Sequence, residues 1–154
     1  MIQRIQTIYL LLVAIISITL FNIDIPYFTV ANLESNEEIL VDYNSTDMGQ
    51  ELIGVNMGLI YFLLSTGIMA FTAIFLYRRR KLQMRLTAGC MIFVLVVLVN
   101  MYWYSYKMDY FDGNSIATLQ PVAAVPISLL LLSLLAFLRI RKDEKLVRSL
   151  DRIR

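Results

Sequence analysis

Residues 58–86 read GLIYFLLSTGIMAFTAIFLYRRRKLQMRL, and this stretch decides how the chain is built. Its first 20 residues carry no charge; then Arg78, Arg79, Arg80, Lys81 and Arg85 place five positive charges within eight residues. An uncharged apolar run of about 20 residues is what a helix needs to cross the hydrocarbon core of a bilayer. A dense basic knot at its end holds a short loop on the cytoplasmic side.

The rest of the chain agrees. Of its 154 residues, 58% are hydrophobic and 17% charged, against about 25% charged in a soluble domain. A soluble fold of this size still needs a polar exterior, and here the polar residues are too few to make one. The apolar residues fall into four blocks, which predict spans over residues 5–23, 53–77, 86–104 and 119–138. Lipid offers the backbone no hydrogen-bond partners, so runs of this length are helices. Arg4 followed by the first block also fits the opening of a signal peptide. No small-x-small cleavage site follows, so the block is expected to stay as an anchor. The expected fold class is an all-α membrane protein, a four-transmembrane-helix bundle.

Charge gives the orientation. Four spans put the N-terminus, a loop over residues 78–85 and a tail over residues 139–154 on one side, with 13 of the 14 Lys and Arg. The other side holds nine of the 12 acids, among them Asp24, Asp42, Asp47, Asp109 and Asp112. Basic flanks stay in the cytoplasm, which predicts an N-in/C-in topology. Tyr102, Trp103, Tyr104, Tyr106, Tyr110 and Phe111 cluster where the third span ends, as interfacial aromatics do.

The external loop, residues 24–52, contains PYFTVANL and EILVDY on either side of SNE. This predicts a short β-hairpin. A hairpin alone is marginal in water, so it must rest on the helix ends or on a partner. The loop's acids match no EF-hand spacing and read as a solvated face. The tail, IRKDEKLVRSLDRIR, predicts a cytoplasmic amphipathic helix. Ile140, Leu146, Val147, Leu150 and Ile153 would share one face, and Arg141, Lys145, Arg148 and Arg152 would form a basic stripe. That stripe and the knot, Arg78 to Lys81 with Arg85, are the candidate contacts for anionic lipid or a protein partner. Each basic residue near an anionic surface contributes about 1 kcal/mol.

Small residues let helices approach closely in lipid. Gly54, Gly58, Gly67 and Gly89 are the candidate packing positions, with Ala123 and Ala124 in the fourth span. Pro126 is expected to loosen or kink its turn. Asn22, Asn56, Asn100 and Gln120 lie toward the outer span ends, placed either to bond between helices or to meet water.

Several chemistries have no residues to carry them. There is no histidine and one cysteine, Cys90, inside the third span. The sequence has no P-loop, dinucleotide-binding glycine pattern or nucleophile elbow, and no nucleic-acid-binding module. No catalytic residue, cofactor or metal is expected, and the chain reads as a non-enzyme.

The opening MIQRIQTIYLLL, the central RKLQMRL and the closing IRKDEKLVRSLDRIR together resemble an uncharacterised Bacteroidetes family of small four-span proteins, grouped as a domain of unknown function. The resemblance implies a bacterial inner-membrane location and transfers no activity or site residue. The expectation is a non-enzymatic integral inner-membrane protein, an accessory or scaffold subunit of an envelope complex. Its partners would be membrane lipids and other envelope proteins or a second copy. The alternative is a small-molecule or lipid-handling carrier with a cavity between the helices.

Overall fold

The computed structural model describes residues 3–32, 38–48, 51–77, 79–107 and 115–151. Four helices form the body: α1 (Gln3–Asn22), α2 (Met57–Phe75), α3 (Arg80–Lys107) and α4 (Val125–Asp151). Each packs on its two neighbours in a closed ring, α1 on α2, α2 on α3, α3 on α4 and α4 back on α1. At 1.5 Å per residue, α1 and α2 are each about 30 Å long, the thickness of a bilayer's hydrocarbon core.

Burial follows the helical repeat. On α2 the buried residues are Leu59, Leu63, Thr66, Gly67, Ala70 and Ala73, a single stripe of the kind that 3.6 residues per turn produces. On α4 the stripe runs Leu129, Ser133, Ala136, Ile140, Asp143. The outward faces are apolar: Met57, Tyr61, Ile68, Phe71 and Phe75 of α2 are at least half exposed. Meanwhile Thr66, Thr87 and Ser133 are buried, each hydroxyl donating to a carbonyl of its own helix at 2.8–2.9 Å. A soluble protein sorts its residues the other way.

A five-stranded antiparallel sheet caps the end of the bundle where α1 stops and α2 starts. Its strands are β1 (Phe28–Asn32), β2 (Glu38–Val41), β3 (Ser45–Met48), β4 (Glu51–Val55) and β5 (Ser115–Leu119), in the order β4-β3-β2-β1-β5. The expected hairpin is present as β1 and β2, with Phe28 opposite Val41 and Val30 opposite Ile39. These four side chains are buried and join the bundle core, so the sheet gains the support that an isolated hairpin lacks.

The all-α expectation is therefore corrected: the fold is mostly helical with a small sheet. Residues 53–55 were expected to start the second span because Ile53, Gly54 and Val55 run straight into its apolar block. They form a strand instead, and Gly54 lies on that strand rather than at a helix interface. β5 pairs with β1, Thr29 lying opposite Thr118 with their hydroxyls 2.5 Å apart.

The turn between β2 and β3 ties three helix ends together. Oδ1 of Asp42 accepts from the backbone N–H groups of Asn44 and Ser45, fixing the bend, as aspartate does in turns. Buried Asn56, just before α2, donates to the carbonyls of Asp42 and Ser45 at 2.8 and 2.9 Å. Asn44 donates to the Phe21 carbonyl near the end of α1 at 2.6 Å. The Tyr43 hydroxyl donates to the Val122 carbonyl, just ahead of α4, at 2.9 Å. Burial pushes the Tyr43 hydroxyl well above the usual tyrosine range, which keeps it a donor.

Pro121 opens a 3-10 turn over Pro121–Ala124, and α4 follows directly. Pro126 is thus the second residue of α4. Its missing N–H falls where the 3-10 turn passes into the α-helix, a local change of the helical turn at the proline.

Candidate functional site

The basic residues gather at the end of the bundle opposite the sheet. A tight connection, with Arg79 N–H donating to the Leu76 carbonyl at 2.9 Å, joins α2 to α3. Helix α3 then starts at Arg80, so most of the expected 78–85 loop is its first turns. Arg80, Lys81 and Arg85 therefore stand on a helix. Cations in a first helical turn oppose the helix dipole, at about 0.3–1 kcal/mol each, and this cost has concealed the helix start in the sequence. Arg79, Lys81 and Arg85 are exposed, as are Arg139, Arg141, Lys142 and Lys145 on the far end of α4. Arg78 and Arg152 lie outside the described residues, and so does the side chain of Arg148.

Helix α4 continues unbroken from its apolar half into the tail, as far as Asp151. The expected apolar face of the tail is only partly the buried one. Ile140 is buried, but Leu146 and Val147 are exposed, and Asp143 takes the inward position. The stripe from Leu129 through Ile140 steps by three or four residues and reaches Asp143 next. Carrying the period of the span into the tail would have found it.

Asp143 is 8% exposed, and Gln6 and Gln83 beside it are 5% and 4% exposed. The Gln6 side-chain amide donates to a carboxyl oxygen of Asp143. A guanidinium nitrogen of Arg80 donates to the Asp143 backbone carbonyl at 3.2 Å. With Thr7 and Tyr77 these residues enclose a polar void of about 10 Å³, the room one water molecule needs. The cluster thus links α1, α3 and α4, and it holds Arg80 back while its basic neighbours reach outward. Its chemistry is that of a polar fastener between helices.

Three of the four candidate glycines lie at helix contacts. A Cβ at Gly58 would come 3.1 Å from Oδ1 of Asn100 on α3. One at Gly67 would lie 3.4–3.7 Å from Ile18, Ser17 and the Ala14 carbonyl of α1, and one at Gly89 would reach within 2.5 Å of the Met69 methyl of α2. Among the described residues nothing lies within 4 Å of a Cβ placed on Gly54. The polar residues near the span ends are used locally. Asn22 and Asn100 donate to Ile18 and Val96 of their own helices, and Asn56 serves the sheet. Tyr102 and Trp103 are exposed near the end of α3; Tyr110 and Phe111 lie outside the described residues.

Helices over Ile5–Asn22, Met57–Phe75, Arg80–Ser105 and Pro121–Val147 are long and apolar enough to cross a membrane. With lipid-compatible outer faces and a polar cap at each end, this is the build of a multi-pass membrane protein. The family model described as "Domain of unknown function (DUF4293)" matches residues 2–153, and the chain belongs to that family. The comparison with curated proteins gave no match, and neither did the comparison with solved structures.

Proposed function

We propose that this protein crosses the bacterial inner membrane four times with both termini in the cytoplasm. There it acts without catalysis as an accessory or scaffold subunit of an envelope complex. The observation that carries this reading is the basic rim. Arg79, Lys81, Arg85, Arg139, Arg141, Lys142 and Lys145 are all exposed at one end of the bundle, Arg79 just ahead of α3 and the others on α3 and α4, which are fastened together through Asp143. A rigid cationic surface beside the membrane suits a stable acidic partner. The buried carboxylates Asp42 and Asp143 are both engaged in structural hydrogen bonds, which agrees with a load-sharing role over a chemical one.

The test is affinity purification of the chromosomally tagged protein in a gentle detergent. The expected result is a stoichiometric partner that dissociates in high salt, because exposed charges are screened. It should be lost when Arg141 and Lys145 are both changed to Gln. A clean monomer at native expression overturns the reading. Reporter fusions at position 82 test the topology and should report the cytoplasm.

A further inference from the structure

Between α3 and α4, at the sheet end, lies a groove of about 680 Å³. Its α3 wall is Leu98, Met101, Tyr102 and Ser105. Their spacing of three, four and seven makes one stripe about 10 Å long. The opposite wall is the 3-10 turn and the first turn of α4, where Ala123 and Ala124 have no side chain long enough to close the gap. These alanines were expected to bring helices together; here they leave a space, roofed by Phe28 of the sheet.

Three observations identify the occupant. First, the mouth is continuous with the apolar belt of the spanning helices. Tyr102 and Ile127 line the groove and are 67% and 50% exposed, and Val99 and Leu131 extend the same outward surface. In a membrane that surface meets lipid. Second, polarity is graded along the groove. Ser105 and Gln120 stand at the sheet end, with the Tyr27 and Tyr102 hydroxyls as the other polar side-chain groups of the described lining, and Leu98 and Ile127 lie deeper. That gradient matches a molecule with one polar end and one hydrocarbon end. Third, the size fits a small ligand site, about 300–1,000 Å³. A helix about 10–12 Å across with its side chains is too broad for a gap between two helices that pack on each other.

We propose that this groove seats one acyl chain of a membrane phospholipid, its terminal methyl toward Leu98 and Ile127 and its ester group beside Ser105 and Gln120. Among the described residues no Lys, Arg, Asp or Glu lines the groove, so on this proposal occupancy is set by the acyl chain and not by the charge of the headgroup. The basic rim at the other end would behave oppositely.

The test uses the full chain in nanodiscs of phosphatidylethanolamine and phosphatidylglycerol, with a trace of phospholipid carrying a diazirine on its acyl chain. After illumination, labelled peptides are mapped by mass spectrometry. Labelling should be enriched several-fold at Met101 and at residues 123–127 over Ile68, an outward residue of α2 that is 64% exposed. It should be equal for the zwitterionic and the anionic form of the probe. Ala124→Trp should abolish the enrichment and leave Ile68 unchanged. Uniform labelling of all outward residues in the unsubstituted protein overturns the proposal, a result that does not depend on the variant folding. So does a chain-to-chain crosslink at Met101 or Ile127, which would put a second copy there, and so does labelling that follows headgroup charge.

Discussion

The side-chain amide of Gln6 on α1 donates to a carboxyl oxygen of Asp143 on α4, joining residues 137 positions apart. Both are buried, and both sit where the bundle passes from its apolar belt to the basic rim. A buried polar group left without its partner costs about 1–3 kcal/mol. Asp143→Leu should therefore lower stability in detergent by about that amount. Adding Gln6→Leu should restore part of the loss, since residues in contact couple by about 0.5–3 kcal/mol. Thermal unfolding of the two single variants and the double variant measures this, and strictly additive effects would contradict the pairing.

Tyr43→Phe removes the hydroxyl that binds the Val122 carbonyl. The expected cost is about 0.5–1.5 kcal/mol near neutral pH. Burial raises the Tyr43 pKa in the folded protein. Its stabilising effect is thus complete below the unfolded value of about 10 and is lost as pH rises through the folded value. The parent should weaken above about pH 10 more steeply than the Phe variant, as seen in midpoint temperature against pH.

Asn56→Leu should cost about 2 kcal/mol, because it strips donors from two carbonyls in the β2–β3 turn. Amide hydrogen exchange should quicken across residues 42–48 while the middle of α3 keeps its protection. Equal acceleration in both places would mean that the turn is not a local fastener.

The glycines should separate by what surrounds them. Gly67→Leu pushes a branched side chain into α1, and overpacking of this kind costs about 1–3 kcal/mol. Gly89→Ala should be tolerated, because the atom it meets is the free end of Met69 and alanine favours the helix by about 1 kcal/mol over glycine. Gly54→Ala should have little effect. Folding yield and melting temperature in detergent rank the three.

The four helices were legible because twenty-residue apolar runs admit one backbone solution in lipid. The β1–β2 pair was legible from PYFTVANL and EILVDY. The other strands were not. Ser45–Met48 has little apolar alternation, Glu51–Val55 merges with the following span, and Ser115–Leu119 finds its partner 87 residues earlier, at Phe28–Asn32. The helix start at Arg80 was hidden because charge marks where a chain leaves lipid, while helices continue past that boundary; the start at Met57 was hidden because the apolar strand before it merges with the span. Of the candidate site, the basic residues could be read from composition. Asp143 could not be read as a polar residue of the tail, because its burial follows from the phase of a helix that began eighteen residues earlier, at Val125.

The sheet has a bearing on the order in which the protein is completed. β1 leaves the ribosome early, yet the neighbour on one of its flanks, β5, follows only after two long helices, α2 and α3, have been synthesised. A nascent chain halted before residue 115 lacks that rung. The last ladder therefore closes late, once three of the four helices have been made and only α4 is still to follow.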